Sequence, residues 1–475
     1  CSVQRCNSAL RVLNAATDEQ VNGRVSRIAE MKVLRAHYYF ELSRLFNKIP
    51  YFDENVEISQ YPDIPNNEFT RDEILSMLAK EMLDAAELLP ASQSEVGRIH
   101  KYIALAYAAK IKLYQAYQQD ETTHAVTSIN KELLREVVSL CDQVTASNRY
   151  GLLDDFQGLD LVANENGKES VFAIQYSMND GTESAGRINW SNLLNSPGGG
   201  SPYGGDGFFL PSQDLINAYQ TDANGLPDFN YQSKSDYSWA VLNNGVYTLQ
   251  NTTPNVDPRL DFVVGRPTIT WKTYPDKPCE GWVRDKETYG YNCAKRFWVS
   301  PESSDMFNGW PWGASQLNWQ IIRYADILLW KAEALIELNE GDGLETARDL
   351  INQIRNRARN SAYVKDFNDH SKYAANYLVN PYPADVWNQD YARQALRWET
   401  RLEKALEGER FFDLVRWGIV ETTMNKYITA ESDNRIYYAN AHFTGGKDEY
   451  YPVPNNQYGF SGGKYVQNPG YAPFN

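Results

Sequence analysis

No run of this chain reaches the roughly 18 consecutive apolar residues that a membrane-crossing helix requires. Histidine is scarce. The five (His37, His100, His124, His370, His442) are scattered, with no HExxH and no pair at zinc spacing, so each reads as a surface or core side chain. Positive charge is also in deficit, with 46 Lys and Arg against 61 Asp and Glu, a formal net charge of −15. That balance argues against nucleic acid, which needs clustered cations to displace counterions, and against docking on anionic lipid through side chains. The chain begins at Cys1 with neither Met nor a signal-peptide pattern, and reads as mature or truncated.

Catalytic motifs are missing too. Gly199-Gly200-Ser201-Pro202-Tyr203 approaches a nucleophile elbow, but Tyr203 takes the place of the final glycine and no strand and helix flank it. The glycine clusters near 198–207 and 462–463 match neither GxGxxG nor a phosphate-binding loop. Asp222-Ala223-Asn224-Gly225 lacks the spacing and distant Glu of a calcium loop and reads as a turn. A glycosidase needs only two carboxylates across a cleft, which composition neither supports nor excludes. No metal or cofactor is expected.

Cysteine is limited to five. Cys279 and Cys293 flank a Tyr- and Gly-rich stretch and could close a short loop, contributing about 3 kcal/mol if bridged, or remain two thiols. Cys141 falls in the helical pattern 133–147 and reads as a small buried residue.

What the chain does have is aromatic surface: 13% of residues, including 32 Tyr and 12 Trp. Tyr and Trp join a flat apolar face to a polar handle, which suits wet interfaces and sugar rings; the plainer role is bridging helices and loops. With 42% hydrophobic residues, 475 in all, the chain can bury a sizeable core and length alone would allow roughly three domains.

The first third reads as helices. Met31, Leu34, Tyr38, Leu42 and Leu45 step by three and four, and Ile49-Pro50 ends that run. After a polar loop, Thr70 with Glu73 forms a capping box for a helix running to about Leu89, before Pro90. Gly97 precedes another helix with Tyr102, Leu105, Ala106, Ala109, Leu113 and Ala116 on one face. From 150 to 319 the periodicity fades into short segments such as Val171–Ile174 and Phe262–Val264, and most of the tryptophans lie here. Helices return at about 320: Ile321, Tyr324, Ala325, Leu328, Leu329, Ala332, Leu335 and Ile336 form one stripe, Asn339–Gly343 a turn, and Ala347, Leu350, Ile351, Ile354 and Ala358 the next. This pair has tetratricopeptide-like size. The expected fold is therefore mainly α: a tetratricopeptide-like helical superhelix from 1–149 and 320–475, with a large loop-rich insertion carrying short strands at 150–319, in one folded unit.

Six blocks occur in a telling order. They are Glu30 with Leu34-Arg35-Ala36 and Tyr38-Tyr39-Phe40; Gly97-Arg98 before an Ala-rich helix; Gly225-Leu226-Pro227 and Asp257-Pro258-Arg259-Leu260; Arg323-Tyr324-Ala325-Asp326; Glu409-Arg410-Phe411-Phe412-Asp413; and Tyr451-Pro452-Val453-Pro454 with Gln467-Asn468-Pro469-Gly470-Tyr471. Together they resemble the SusD/RagB family over most of the chain, with Asn47-Lys48 a mild departure at a turn. The matched residues read as structural, with Arg323, Arg410 and Arg416 in buried or half-buried pairs between helices.

The resemblance implies a non-catalytic lipoprotein on the outer-membrane surface of Bacteroidetes-type bacteria. It would capture glycans, or peptides in some branches, for a SusC-like TonB-dependent transporter. Cys1 invites a reading as the lipidated residue, but only 33 residues precede Leu34 where the family has many tens, so a missing N-terminal segment is the expectation. Anchoring then rests on the resemblance alone.

Glycan sites need rings for sugar C–H faces and planar polar groups for hydroxyls. Exposed aromatic density selects Trp310 and Trp312 beside Asn308, and Trp282, Tyr289 and Tyr291 with Arg284. Trp239, Trp271 and the early-loop Tyr61, Asp63 and Asn66 follow, whereas Trp298 and Trp319 read as pins holding loops to the scaffold. A peptide-binding relative and, further off, a carbohydrate-active enzyme are the alternative readings.

Overall fold

The computed structural model describes residues 2–182, 186–190, 195, 201, 203–270, 272, 282–300, 303–309 and 313–474. Five helices come first: α1 (Ser2–Ala15), α2 (Arg24–Phe46), α3 (Arg71–Leu88), α4 (Lys101–Ala116) and α5 (Lys131–Ala146). The middle carries three short ones, α6 (Gln213–Ala218), α7 (Arg259–Val263) and α8 (Lys286–Tyr289). Then follow α9 (Tyr324–Leu338), α10 (Gly343–Asn360), α11 (Gln389–Glu403), α12 (Arg410–Arg416), α13 (Val420–Glu431) and α14 (Asn455–Phe460).

Packing runs α1–α2–α3–α4–α5 and continues from α5 onto α9, which in turn packs α10 and α11. Helices α5 and α9, distant in sequence, thus pack as neighbours and continue one stack of helix pairs from the first third into the last, the tetratricopeptide-like arrangement. Local chemistry sets the boundaries. Thr70 and Glu73 form the expected reciprocal box, with the Thr70 N–H donating to Glu73 Oε2 at 2.8 Å, and α3 ends one residue before Leu89. Asn339 closes α9 in the left-handed region at φ 51°, its N–H donating to Leu335 O.

Three readings of helix faces change. The α2 core face is Ala29, Val33, Ala36, Tyr39, Phe40 and Ser43, while Met31, Leu34, Leu42 and Leu45 are half-buried and Tyr38 is exposed. Arg35 and Arg44 explain the rotation: both are buried beside that core because carboxylates of Glu54, Glu81, Glu41 and Glu409 meet them. Helix α4 has no single apolar face. Wedged among α3, α5 and α9, it is buried nearly all round, with Lys110 and Lys112 reaching Glu409 and Glu136 at 3.2 and 2.7 Å. Ile321 belongs to a strand, since α9 begins at Tyr324.

Among the described residues ten short strands pair antiparallel, two by two. They are β1 (Tyr117–Gln119) with β2 (Val126–Ile129), β3 (Ser170–Ile174) with β10 (Trp319–Arg323), β4 (Gln220–Thr221) with β7 (Asn255–Val256), β5 (Ala240–Asn243) with β6 (Val246–Leu249), and β8 (Val264–Gly265) with β9 (Cys293–Ala294). Phe262 and Val263, read as extended, end α7 instead, and the strand starts at Val264. The main apolar core lies between the helices; a second joins Phe156, Ile216, Tyr219 and Leu260 to Leu402 under α11. Cys293 is a buried free thiol donating to Gly265 O at 3.6 Å, and Cys279 lies outside the described residues. Among the described residues no helix is long and apolar enough to cross a membrane.

Candidate functional site

A surface cleft of about 510 Å³ is built where α8, the β5–β6 hairpin and the end of α13 converge. Each wall has a local cause. Asp285 caps α8 by accepting from the Thr288 N–H at 3.1 Å, and Gly290 stops the helix at φ 76°, turning Tyr291 back into the cleft. Asn244 and Gly245, both at positive φ, join β5 to β6 in the turn that matches strand twist, and the hairpin presents Trp239 at its base. Beyond α13, Asn434 and Arg435 both donate backbone N–H groups to Glu431 O, at 3.0 and 2.8 Å, folding the chain so that Arg435 faces the same space.

The rim is aromatic. Trp239 is 37% exposed, Tyr289 41% and Tyr437 46%, enough to leave ring faces open to a ligand. Tyr291 packs edge-on against Tyr247 at 5.4 Å, and Lys286 Nζ lies 5.5 Å from the Tyr247 ring centre. Tyr289 and Tyr437 are 6.1 Å apart, and Tyr437 leans on Tyr438 at 4.5 Å. These contacts fix the rings before a ligand arrives, which lowers the ordering cost of binding.

The floor is polar and braced. Gln213 donates to Tyr237 O at 2.7 Å and to Asn217 Oδ1 at 3.0 Å, and Asn217 donates to Asp236 Oδ1 at 2.8 Å. Arg435 donates to Pro211 O at 2.6 Å and to the Tyr437 hydroxyl at 3.0 Å. Glu431 is wholly buried, accepts the Asp214 N–H, and pairs with Arg435 Nε at 3.4 Å; burial raises its carboxyl above the usual range. Beside it, Asp236, Asn292 and Asn434 offer the planar groups that read hydroxyls.

The structure brings Trp239 and Tyr291 together in this cleft, with Tyr289 on its rim. Arg284 is exposed and spent on Asp206 and Gly205 O, at 3.0 and 2.8 Å. Trp282 is 3% exposed, packed in a small core with Tyr203, Cys293 and Trp298, where it pins the surrounding loops. Trp298 has that same pinning role, and Trp319 packs on Phe297 at 4.7 Å. Asn308 is exposed but does not line the cleft; Trp310, Trp312 and Trp271 lie outside the described residues.

The early loop sits apart from it. Tyr61 stacks on Phe52 at 4.0 Å and accepts from Arg11, while Asp63 pairs with Lys464. Asn66 is turned inward. It is 1% exposed and clasps the backbone of Val466 in both directions, at 3.0 and 2.8 Å, so it is a tie between chain ends. Sequence reasoning missed Gln213, Asp236, Arg435 and Tyr437. The signal available was Arg435 two residues before a Tyr-Tyr pair, inside a stretch assigned to the scaffold. Among the described residues no group of His, Cys, Asp and Glu is arranged to hold a metal ion.

Two family models match this chain: the SusD family over residues 168–471, and "Starch-binding associating with outer membrane" over residues 2–113. A SusD-like protein of Bacteroides ovatus is 22% identical over 87% of the chain, which spans 63% of that relative's length. SusD-like protein P2 of Formosa agariphila is 24% identical, over 97% of the chain and 77% of that protein. The fold is similar to that of surface glycan-binding protein A from Bacteroides thetaiotaomicron, solved in complex with laminarihexaose. The TM-score is 0.63 at 18% identity, covering 98% of this chain and 83% of that one.

Proposed function

We propose that this chain, which belongs to the SusD family, captures glycans without catalysis at the outer-membrane surface and delivers them to a SusC-like TonB-dependent transporter. The observation that carries the reading is the cleft: exposed Trp239 and half-buried Tyr291 line it, braced Tyr289 and Tyr437 stand on its rim, and its floor is of amide and acid groups. Rings of this kind stack on the C–H faces of sugars, and planar polar groups pair with hydroxyls. Hydrolysis would need two carboxylates set across the glycosidic bond; Asp236, Glu431 and Asp433 all line the cleft, and the release of reducing ends is the readout that tests them. The laminarihexaose complex of the structural relative supports glycan as the ligand class, and the family description of outer-membrane association supports the location.

The test is affinity electrophoresis of the purified chain against plant, fungal, algal and host polysaccharides, laminarin among them. Retardation by at least one, with no release of reducing ends, is the expected result. Migration unaffected by every polysaccharide, or steady release of reducing ends, would contradict it. Trp310→Ala and Trp312→Ala, run alongside, report whether the site extends into that segment.

A further inference from the structure

A second cavity, of about 490 Å³, shares no lining residue with the aromatic cleft. It lies between the loop leading into α4, the strand β3 and the chain around Arg149 and Lys168. Its character is the reverse of the protein's. In a chain of net charge −15, this cavity is lined by Arg98, Arg149 and Lys168 against the single carboxylate of Glu95. Arg98 is committed to Glu30 and Glu95 at the side of the cavity. Arg149 is exposed with no carboxylate partner among the described residues, and Lys168 holds only the fully open Asp154, at 2.9 Å. An exposed pair of that kind is worth at most about 1 kcal/mol, so Lys168 is available.

Two fixed features reinforce the charge. The N-terminus of α4 opens here with no acidic residue in its first turn and no side-chain cap; its Lys101 N–H donates to Pro90 O at 2.9 Å, so it contributes the positive end of a 16-residue helix dipole and not free donors. His100, the residue at that end, is 8% exposed and its Nδ1 has no hydrogen-bond partner. Its Nε2 faces the Tyr150 hydroxyl at 3.2 Å. When that hydroxyl donates to Nε2, the neutral ring carries its proton on Nδ1, a donor without an acceptor. Asn166 and Gln175 face the same space with amides joined reciprocally, at 2.9 and 3.0 Å, a flat polar surface suited to hydroxyl groups.

We propose that this cavity is a second ligand site that reads the oxyanion of an acidic saccharide, a uronate carboxylate or a sulfate ester. Arg149 and Lys168 supply the charge, reinforced by the positive end of α4, His100 Nδ1 the fixed donor, and Asn166 and Gln175 the contacts to neighbouring hydroxyls. The site goes beyond glycan capture in the aromatic cleft and stands or falls separately from it.

The test is calorimetric titration of the whole chain with a uronate oligosaccharide, a sulfated oligosaccharide and their uncharged counterpart, at two salt concentrations. The wild type is compared with Arg149→Ala/Lys168→Ala, two exposed positions whose truncation leaves the fold intact, and with Trp239→Ala. At least one acidic probe is expected to bind, more weakly at the higher salt, with affinity reduced at least tenfold in the double variant and unchanged in Trp239→Ala. Which probe binds separates carboxylate from sulfate. Equal binding of charged and uncharged probes, or full retention in the double variant, would overturn the proposal. So would loss of the acidic probe with Trp239→Ala, or no binding of either acidic probe.

Discussion

Arg323, the last residue of β10, meets Glu403, the last of α11, at 3.1 Å with both side chains closed off from solvent. They are the centre of a buried charge network. Arg323 also reaches Glu169 and Glu407, at 2.7 Å each, and Glu403 is shared with Arg357 and Arg259. Through Arg259 and Asp257 the network enters the insertion, and through Arg296 and Asp160 it holds the segment before β3. Arg323, at the head of α9, therefore ties the middle of the chain to the helices around α11.

Glu403→Ala leaves three arginines sharing fewer carboxylates in a dry interior. Removing one member of a buried charge set costs about 3–5 kcal/mol, the penalty of the uncompensated charge. Urea unfolding should show that loss, with Arg323→Met/Glu403→Leu losing less than the two single variants summed. A cost below about 1 kcal/mol for Glu403→Ala would mean that the network is not holding the two regions together.

Trp282→Phe separates a pin from a binding platform. Shrinking a buried ring in the Tyr203–Cys293–Trp298 cluster should reduce stability by about 1–2 kcal/mol while glycan affinity stays within twofold. Thermal unfolding and calorimetry on the same preparation check it, and a tenfold affinity loss with unchanged stability would return Trp282 to the site.

Acid should loosen the fold through buried histidines. Burial, with Lys48 and Arg71 adding repulsion, pushes His124 down to about 4. A folded value below the ordinary one near 6.5 gives stability that is complete above pH 6.5 and lost as pH falls toward 4, because the unfolded chain takes up the proton first. Between pH 7.5 and 5 this one ring accounts for about 2 kcal/mol. His124 sits at φ 55°, a conformation that Asn tolerates, so His124→Asn should unfold with a pH dependence smaller by that amount. Unfolding free energies at the two pH values measure it; identical slopes would contradict the assignment.

Legibility in the sequence followed side-chain chemistry. Where local rules act alone they read correctly: the Thr70–Glu73 box starts α3, and Asn339 turns the chain after α9. The α2 face was misread because hydropathy treats Arg35 and Arg44 as surface, whereas long-range carboxylates let them be buried and rotate the core toward Ala29, Val33 and Phe40. The cleft was half legible. Aromatic density pointed to Trp239, Tyr289 and Tyr291, but the same criterion selected the buried Trp282, since a ring's exposure is decided by what packs on it. Gln213 and Arg435 come from segments more than two hundred residues apart, and the packing of α13 on α6 with the bond from Arg435 to Pro211 O brings them together.

The most direct measurement is the calorimetric affinity of the chain for its strongest polysaccharide from the panel, compared among wild type, Trp239→Ala, Tyr291→Ala and Tyr61→Ala. Loss of one stacking ring is worth about 1–2 kcal/mol, so each of the first two variants should bind at least about fivefold more weakly with unchanged melting temperature. Tyr61→Ala, outside the cleft, should bind like the wild type. Wild-type affinity in both Trp239→Ala and Tyr291→Ala, with loss in Tyr61→Ala, would contradict the cleft as the site of capture.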